Sequence, residues 1–390
     1  MGAQLRALDA AGNYSEELPD FADLTISQDL LDPGTLAFRY PAEGRHADLL
    51  THGRQLAILI DGVEPKNGRY TYFEGDGSTT LGEAQPNSYG CTSNMGRTDK
   101  LMLAPAYGST VIDDELFNWT NLSPGSILIS ALSNAMSRAN AHTGNAVSSW
   151  LVTPPTTFSA TLDSSGTAWP ATYDTKFGAG TTVKEVIEWL TTNGLAEAHM
   201  QGRELKLYRP DKNGTNLTLG AYPIVLQSGN DLSEASYQTK STDLVTALLV
   251  LGDENACVWV YDIAAIAQYG YREGKIQVSN ASTQATLTAA GTAWLNARKI
   301  PRWSYTYAVS ALYLEQTPNR TQPRPFVDYQ CGDSILILDG GATAVQRLRL
   351  LSATWPTAQS SIVALTVNDL LAERDILIDR QLSQLGLGSL

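Results

Sequence analysis

The sequence GRQLAILIDG at residues 53–62 and the sequence GDSILILDGG at residues 332–341 have the same layout. Each begins with a glycine, continues with polar residues and an apolar run, and reaches an Asp-Gly pair. A second extended stretch follows each of them, RYTYF at 69–73 and QRLRLLSATW at 346–355. Asp-Gly between two apolar runs is typical of a tight β-hairpin turn. We therefore expect two similar β-units, one near each end of the chain.

The hairpin residues are the candidate structural residues of these units. Their turns are Asp61-Gly62 and Asp339-Gly340. Their apolar strand positions are Leu56, Ile58, Ile60, Ile335 and Ile337. Alternate residues of a strand lie on one face, so each apolar set predicts one buried face.

Strand-rich segments flank a segment with helical periodicity, which predicts an α+β chain that is mostly β. The predicted divisions are residues 1–20 as an N-terminal extension, 21–112 as a first β-barrel-like domain, 113–231 as an α+β middle domain, 232–369 as a second β-barrel-like domain with a helical insertion at about 262–301, and 370–390 as a C-terminal helix and tail.

Local signals give the boundaries of several helices. Ser123 is the expected N-cap of the first helix, with Pro124 at its first position. Gly194 is the expected C-cap of the second. Ser282 is the expected cap of a helix in the insertion.

The C-terminal segment is a candidate docking helix. Its apolar residues recur at roughly heptad spacing, and they are Leu371, Ile378, Leu382 and Leu385. An apolar stripe exposed on a lone domain is unfavourable, so we expect this helix to dock onto a neighbour.

The charge of the chain excludes one large class of function. The 390 residues have a formal net charge of -13, and the basic residues are scattered. Nucleic-acid readers cluster Lys and Arg to displace counterions from phosphates, so direct DNA binding is not expected. The longest apolar runs fall far short of the roughly 20 residues that a membrane helix needs, and the N-terminus lacks the layout of a signal peptide. A protein that is made and kept in a cytoplasm is expected.

No motif indicates catalysis, a metal or a cofactor. The three cysteines, Cys91, Cys257 and Cys331, are odd in number and far apart, and we expect all three to be buried. None of the four histidines stands in a metal-ligand spacing. His46 and His52 with Asp48 are better explained as a polar loop than as a metal or acid–base cluster.

The order of segments is more informative than any motif. LDPGTLAFRYP at 31–41 is followed by WTNLSPGSILISALSNAMSRA at 119–139, then by TTVKEVIEWLTTNGLAEAHMQGRELKLYRPD at 181–211, and finally by YQCGDSILILDGG at 329–341. In this order the chain resembles the tail-hub, or baseplate-hub, proteins of tailed bacteriophages, known in siphophages as minor tail proteins. The resemblance covers roughly residues 21–369.

This resemblance implies a non-enzymatic virion protein without a cofactor. It implies two β-barrel tube domains per chain and a homotrimer that presents six of them in a pseudo-sixfold ring. The implied partners are the distal tail protein or tail tube ring, the tail tip or central fibre protein, and the tape measure protein. The implied location is the tail tip of the virion, after assembly in the host bacterial cytoplasm. DNA would pass through the channel without specific binding, because an acidic lumen repels it.

Two other functions remain open from the sequence. A distal-tail adaptor ring would need only one tube domain per chain. A carbohydrate-binding or glycan-degrading β-protein would use exposed aromatic residues, for which Trp150, Trp169 and Trp259 are candidates among eight tryptophans.

Overall fold

Alternating apolar and polar residues make β-strand the commonest regular element of this chain, as the burial of every second residue in Thr35–Tyr40 illustrates. The computed structural model describes residues 1–9, 11–30, 33–51, 53–76, 79–80, 83–84, 87–105, 117–143, 157–210, 212–219, 223–240, 244–252, 256–278, 283–296, 298–299, 302–309, 323–339, 342–357 and 360–367.

The described elements fall into four units. The first β-unit contains β1 Ala3–Leu8, β2 Tyr14–Glu17, β3 Ala22–Asp29, β4 Thr35–Tyr40, β5 Gln55–Ile60, β6 Arg69–Asp76, β7 Thr79–Thr80, β8 Glu83–Ala84 and β9 Asn87–Ser93. The middle unit contains β10 Asn118–Leu122, α1 Pro124–Thr143, β11 Tyr173–Lys176, α2 Val183–Thr192, β12 Glu197–Gln201 and β13 Glu204–Tyr208. The second β-unit begins with β14 Val225–Gln227 and β15 Leu232–Lys240. An inserted unit follows, with β16 Ala247–Leu251, β17 Cys257–Tyr261, α3 Ile263–Tyr269, β18 Glu273–Gln277 and α4 Gln284–Asn296. The second β-unit then resumes with β19 Arg302–Val309, β20 Ser334–Asp339, β21 Ala342–Thr357 and β22 Ser360–Val367.

One 13-stranded sheet joins the two β-units. Its path is β15-β19-β22-β21-β3-β4-β9-β6-β5-β1-β2, with β20 beside β21 and β14 beside β20. The antiparallel pair β21–β3 is the seam between the units. The α+β, mostly β class is confirmed, and among the described strands no pairing closes either unit into a barrel.

The two β-units repeat one strand order. In the first unit the order across the sheet is β3-β4-β9-β6-β5-β1, and in the second it is β15-β19-β22-β21-β20-β14. Corresponding strands also follow one another in the same order along the chain. All corresponding neighbours pair antiparallel except that β14 is parallel to β20, whereas β1 is antiparallel to β5. The two hairpins recognised in the sequence are therefore the same element of a repeated unit.

A single apolar core lies along the main sheet and includes both hairpins. Leu56, Ile58 and Ile60 are fully buried in it. Ile335 and Ile337 belong to the same core and are 0% and 3% exposed.

The middle unit packs α1 and α2 against β12 and β13 around its own core. The Ser126 amide donates to Ser123 Oγ at 3.1 Å, so the N-cap predicted at Ser123 is present. Thr182 and Glu185 form a capping box at the start of α2. Gly194 follows α2 with a φ of 67°. A Cβ at Gly194 would lie 2.4 Å from that of Ala293 in α4, so only glycine permits this approach of the inserted unit.

The inserted unit is a small α+β layer and not only a helix. Its sheet has the order β17-β16-β18, and α4 packs on one face of it around a third core. Thr283 caps α4, because its Oγ1 accepts from the Thr286 amide at 3.4 Å. The predicted cap Ser282 lies outside the described residues.

Several expectations differ from the structure. Residues 1–20, predicted as an extension, supply β1 and β2 to the main sheet, with Leu5 and Leu18 fully buried in the core. β14, placed by sequence in the middle domain, pairs with β20 of the second β-unit. Cys257 is exposed, unlike the buried Cys91 and Cys331. It lies on β17, where alternation turns every second residue away from α4.

In the part of the chain that the structure describes, no helix combines the length and the apolar character needed to cross a membrane.

Equivalent core positions of the two hairpins should have similar energetic weight. We expect Ile58→Ala and Ile337→Ala each to lower the free energy of unfolding by about 2–4 kcal/mol, because each leaves a cavity in the shared core. The matched control is Val345→Ala, at a site on β21 that is 59% exposed, with an expected change within about 0.5 kcal/mol. Urea unfolding followed by tryptophan fluorescence measures all three. A cost at only one of the two core positions would contradict a common core.

Candidate assembly surfaces

Backbone pairing of β21 with β3 holds the seam between the β-units, together with side-chain contacts across it. Its register runs from Leu350 opposite Asp29 to Trp355 opposite Leu24. Across the seam the hydroxyls of Thr25 and Thr354 lie 3.2 Å apart. The fully buried Trp355 donates from Nε1 to the Met1 carbonyl at 3.2 Å. The N-terminus is thereby attached to the second β-unit.

The turn of the first hairpin contacts the N-terminus and the second β-unit. Asp61 and Gly62 have positive φ values of 48° and 83°, as a two-residue hairpin turn of type I′ requires. Asp61 Oδ1 accepts from the Gly2 amide at 2.8 Å, and its carboxylate lies 3.8 Å from Arg324 of the second unit. This predicted turn residue therefore also links the units.

In the second hairpin the strand runs one residue further than the sequence predicted. Asp339, expected as the first turn residue, is the last residue of β20 and pairs with Ala342. Gly340 lies outside the described residues, as does the whole predicted docking helix with Leu371, Ile378, Leu382 and Leu385.

The first hairpin differs from the second by an insert between its turn and β6. Ile60 bridges Val63 directly after the turn, but the next pairing joins Ile58 to the Gly68 carbonyl. The intervening residues 64–67 leave the ladder. They contribute Lys66 and Asn67 to a polar junction between three of the four units.

Lys66 lies at the centre of this junction. Its amide donates to Gln330 Oε1 at 2.7 Å, and its carbonyl accepts from Gln28 Nε2 at 2.6 Å. Its ammonium lies 3.4 Å from Asp333 Oδ1. Asp333 in turn accepts from the amides of Thr215 and Gln330 at 2.7 Å each. A buried carboxylate with these donors is satisfied and fixes the chain on both sides of it.

A bidentate ion pair connects the middle unit to the second hairpin. Arg347 Nη1 and Nη2 donate to the two carboxylate oxygens of Glu197 at 3.2 and 2.7 Å. The same guanidinium donates to the carbonyls of Asn213 and Gly332 at 2.7 and 3.0 Å. Glu197 is 8% exposed at its side chain, so the pair is largely shielded from water.

His199 and Met200 of β12 add further contacts between the middle unit and the polar junction. The Met200 amide donates to Asn67 Oδ1 at 2.8 Å, and the Asn67 amide donates to the Met200 carbonyl at 2.9 Å. Buried His199 stacks on Tyr208 and lies 3.0 Å from Asn213 Oδ1 through Nδ1. Burial, followed by the nearby charge of Lys66, lowers the pKa of His199 to about 3. This histidine is neutral in the folded chain at pH 7.

A second surface lies on the inserted unit. The face of its sheet opposite α4 presents Cys257, Trp259 and Tyr261 from alternate positions of β17. Trp259 and Tyr261 are 47% and 61% exposed, and Tyr271 beside β18 is 62% exposed. Such a cluster of exposed aromatic residues is typical of a contact surface.

The junction residues were not identified from the sequence. Lys66, Glu197 and Arg347 are single charges in ordinary loops and strands, and no spacing relates them. The only available signal was a charged residue in the strand that follows an apolar hairpin. Among the described residues, no group of three or more His, Cys, Asp and Glu side chains is arranged to hold a metal ion.

Three solved structures with a similar fold are tail proteins. The tail protein from Neisseria meningitidis MC58 superposes with a TM-score of 0.60 at 13% identity, over 94% of this chain and 96% of that one. The 43 kDa tail protein of prophage MuSo2 from Shewanella oneidensis gives 0.62 at 11% identity, over 94% and 98%. Prophage tail protein gp18 from Listeria monocytogenes EGD-e gives 0.55 at 14% identity, over 100% of each chain. No known family profile and no curated protein sequence matches the chain. The chain therefore has the fold of phage tail proteins.

Removing one partner of the Glu197–Arg347 pair should be costly. We expect Arg347→Met to lower the free energy of unfolding by about 2–4 kcal/mol, because it leaves the Glu197 carboxylate shielded from water and without its partner. The control is Lys100→Met, whose ion pair with Asp99 is 74% and 45% exposed and is worth at most about 0.5 kcal/mol. Denaturant titration compares the two, and equal effects would contradict a structural role for the pair.

His199 should make stability depend on pH. Its pKa is about 3 in the folded chain, whereas an ordinary histidine has a pKa of 6.5, so below about pH 6.5 the unfolded chain binds a proton that the folded chain does not. Stability should fall as the pH drops from about 6.5 towards 3, by at most about 1.4 kcal/mol per pH unit.

The test of this dependence is the pH slope, not the absolute stability. His199→Gln should lower the slope over that range. Urea titrations at pH 7, 6, 5 and 4 measure the slope. An unchanged slope in His199→Gln would show that His199 is not the titrating group.

Proposed function

We propose that this chain is the tail hub of a phage-type tail, a structural subunit that assembles as a homotrimeric ring. The repeated strand order of the two β-units supports this proposal most strongly. Three chains with two equivalent units each supply six equivalent positions, which match a hexameric tube ring while the chains keep threefold symmetry.

In this role the ring joins two different symmetries. One side contacts the distal tail protein or the tail tube ring, and the other contacts the threefold tail tip or central fibre protein. The tape measure protein and then the DNA occupy the channel. The net charge of -13 supports passage without specific binding, since DNA carries one negative charge per roughly 1.7 Å of axis and an acidic wall repels it.

The proposed role is non-enzymatic, needs no cofactor and places the protein in the tail tip of the virion after assembly in the host cytoplasm. The similar solved structures, which are tail proteins by name, support a structural role. The junction of Lys66, Asp333, Glu197 and Arg347 fits it too, because these polar groups pair with one another and hold units together.

The two alternatives are less well supported. A distal-tail adaptor needs one tube unit per chain, whereas this chain repeats the unit. A sugar-binding cleft would need its aromatic residues on one surface. Trp259 is exposed, but Trp169 is partly buried against the middle core and donates to the Ser159 carbonyl. Trp150 lies outside the described residues.

Native mass spectrometry and class-averaged electron micrographs test the proposal. The purified chain, alone and mixed with the tail proteins encoded beside it, should give a trimer mass and a ring with an open channel and six lobes. A hexamer with one lobe per chain would favour the distal adaptor. A monomer that joins no tail protein would contradict a hub and would direct attention to glycan-binding assays.

A further inference from the structure

Strand β21 pairs with two different strands along one of its edges, and the seam between the β-units depends on this arrangement. On the side away from β22, the first part of β21 pairs with β20, from Asp339 opposite Ala342 to Ser334 opposite Arg347. The second part, from Leu350 onward, pairs with β3 of the first unit. One long strand thus holds its own hairpin partner and the neighbouring unit side by side.

In the first unit the corresponding strand, β6, has only the first of these two partners among the described strands. β6 pairs with β5 through Arg69, Tyr70 and Thr71. Its last residues, Glu74 to Asp76, pair with β9 on the other side. Within the described chain, no strand lies beside these last residues on the β5 side. β15, the counterpart of β3, likewise has only β19 as a neighbour among the described strands.

Strand register makes the two units equivalent residue by residue. Gln55 opposite Thr71 corresponds to Ser334 opposite Arg347. Directly afterwards each long strand has a bulge, between Tyr72 and Glu74 in β6 and between Leu348 and Leu350 in β21. Glu74 therefore corresponds to Leu350. A shared bulge at one position of two ladders is a specific feature of a repeated unit.

The same comparison relates β15 to β3. In the first unit Glu74 pairs with Gly90, Gly90 pairs with Ala37, and Ala37 pairs with Thr25. From Leu350 the equivalent ladder crosses Thr366 and Thr306 to Ser236. Thr25 thus corresponds to Ser236. Four residues further along each strand, Asp29 corresponds to Lys240.

We propose that residues Glu74 to Asp76 of β6 in one copy pair antiparallel with β15 of the next copy and repeat the internal seam between chains. In this pairing Glu74 of one copy lies opposite Lys240 of the next, as Leu350 lies opposite Asp29 within the chain. The following pairs are Gly75 opposite Thr239 and Asp76 opposite Gln238. The inference rests on the proposed ring, since such a head-to-tail contact closes only in a cyclic assembly.

Two properties of these segments support this partner. Unpaired N–H and C=O groups along a strand edge are a template for pairing with another chain. The register also places an acidic residue, Glu74, opposite a basic residue, Lys240, and opposite charges at facing positions stabilise a strand pair. The internal seam alone determines this register.

Disulfide cross-linking tests the register. In a Cys257→Ser background, which removes the exposed thiol, Asp76→Cys with Gln238→Cys should give dimer and trimer bands on a non-reducing gel. Facing residues of an antiparallel pair have Cα atoms about 4.5–5.5 Å apart, which suits a disulfide.

Two matched pairs serve as controls. Thr25→Cys with Thr354→Cys, where the hydroxyls lie 3.2 Å apart, should form a bridge within one chain and leave the monomer band unchanged. Asp76→Cys with Ser233→Cys moves the second thiol about 17 Å along β15 and should give no bands above the monomer.

Charge reversal gives a second readout of the same contact. Glu74→Lys or Lys240→Glu alone should weaken trimer association roughly tenfold, and the double variant should restore most of it. Analytical ultracentrifugation measures the association constants. Two single variants whose effects simply add in the double variant would contradict a direct contact.

The outcomes separate this interface from the hub proposal. Inter-chain bridges in a trimer support both. A trimer by native mass that forms no bridge between positions 76 and 238 contradicts the proposed strand pairing and leaves the ring standing. A chain that stays monomeric alone and with its neighbours contradicts both.

Discussion

The pairing of β3 with β21 is the constraint on which the rest of the structure depends. It joins residues more than three hundred positions apart, from Leu24 opposite Trp355 to Asp29 opposite Leu350, and converts two β-units into one sheet over one core. Because the pairing is made by backbone groups, it sets the direction of the second unit relative to the first. The middle unit then has to fit between two surfaces whose positions are already determined.

The polar junction around Lys66 holds the middle unit in place between these two surfaces. The insert in the first hairpin leaves the ladder and contacts β3, the segment before β20, and β12 of the middle unit. Arg347 of β21 extends the same network to Glu197. Hydrogen-bonded charges with partners on three units allow one relative arrangement, whereas an apolar contact would tolerate sliding. In a hub this rigidity would let a ring transmit the symmetry of one neighbour to the other.

The repeated hairpin, the mostly β class, the start of α1 and the end of α2 could be predicted because each depends on local patterns: alternation, Asp-Gly turns, Ser-Pro at a helix start and glycine after a helix end. The seam and the polar junction could not. Strand register between Thr25 and Thr354, or the pairing of Glu197 with Arg347, depends on residues far apart in the chain, and no periodicity relates them. The inserted sheet was missed for a related reason, since an apolar run such as β16 does not indicate whether its strand belongs to a small peripheral sheet or to the main sheet. The first twenty residues were misassigned because a short edge strand such as β2 has little apolar pattern.

A pseudo-sixfold ring of three chains requires two equivalent units per chain, and a reconstruction of the assembled particle by electron cryomicroscopy tests for such a ring most directly. The quantity to measure is the rotation that superposes the first β-unit on the second within a chain, and the second on the first unit of the next chain. In the proposed ring both rotations should be about one sixth of a turn around a common axis. Two clearly different rotations, or rotations about axes that do not coincide, would contradict it.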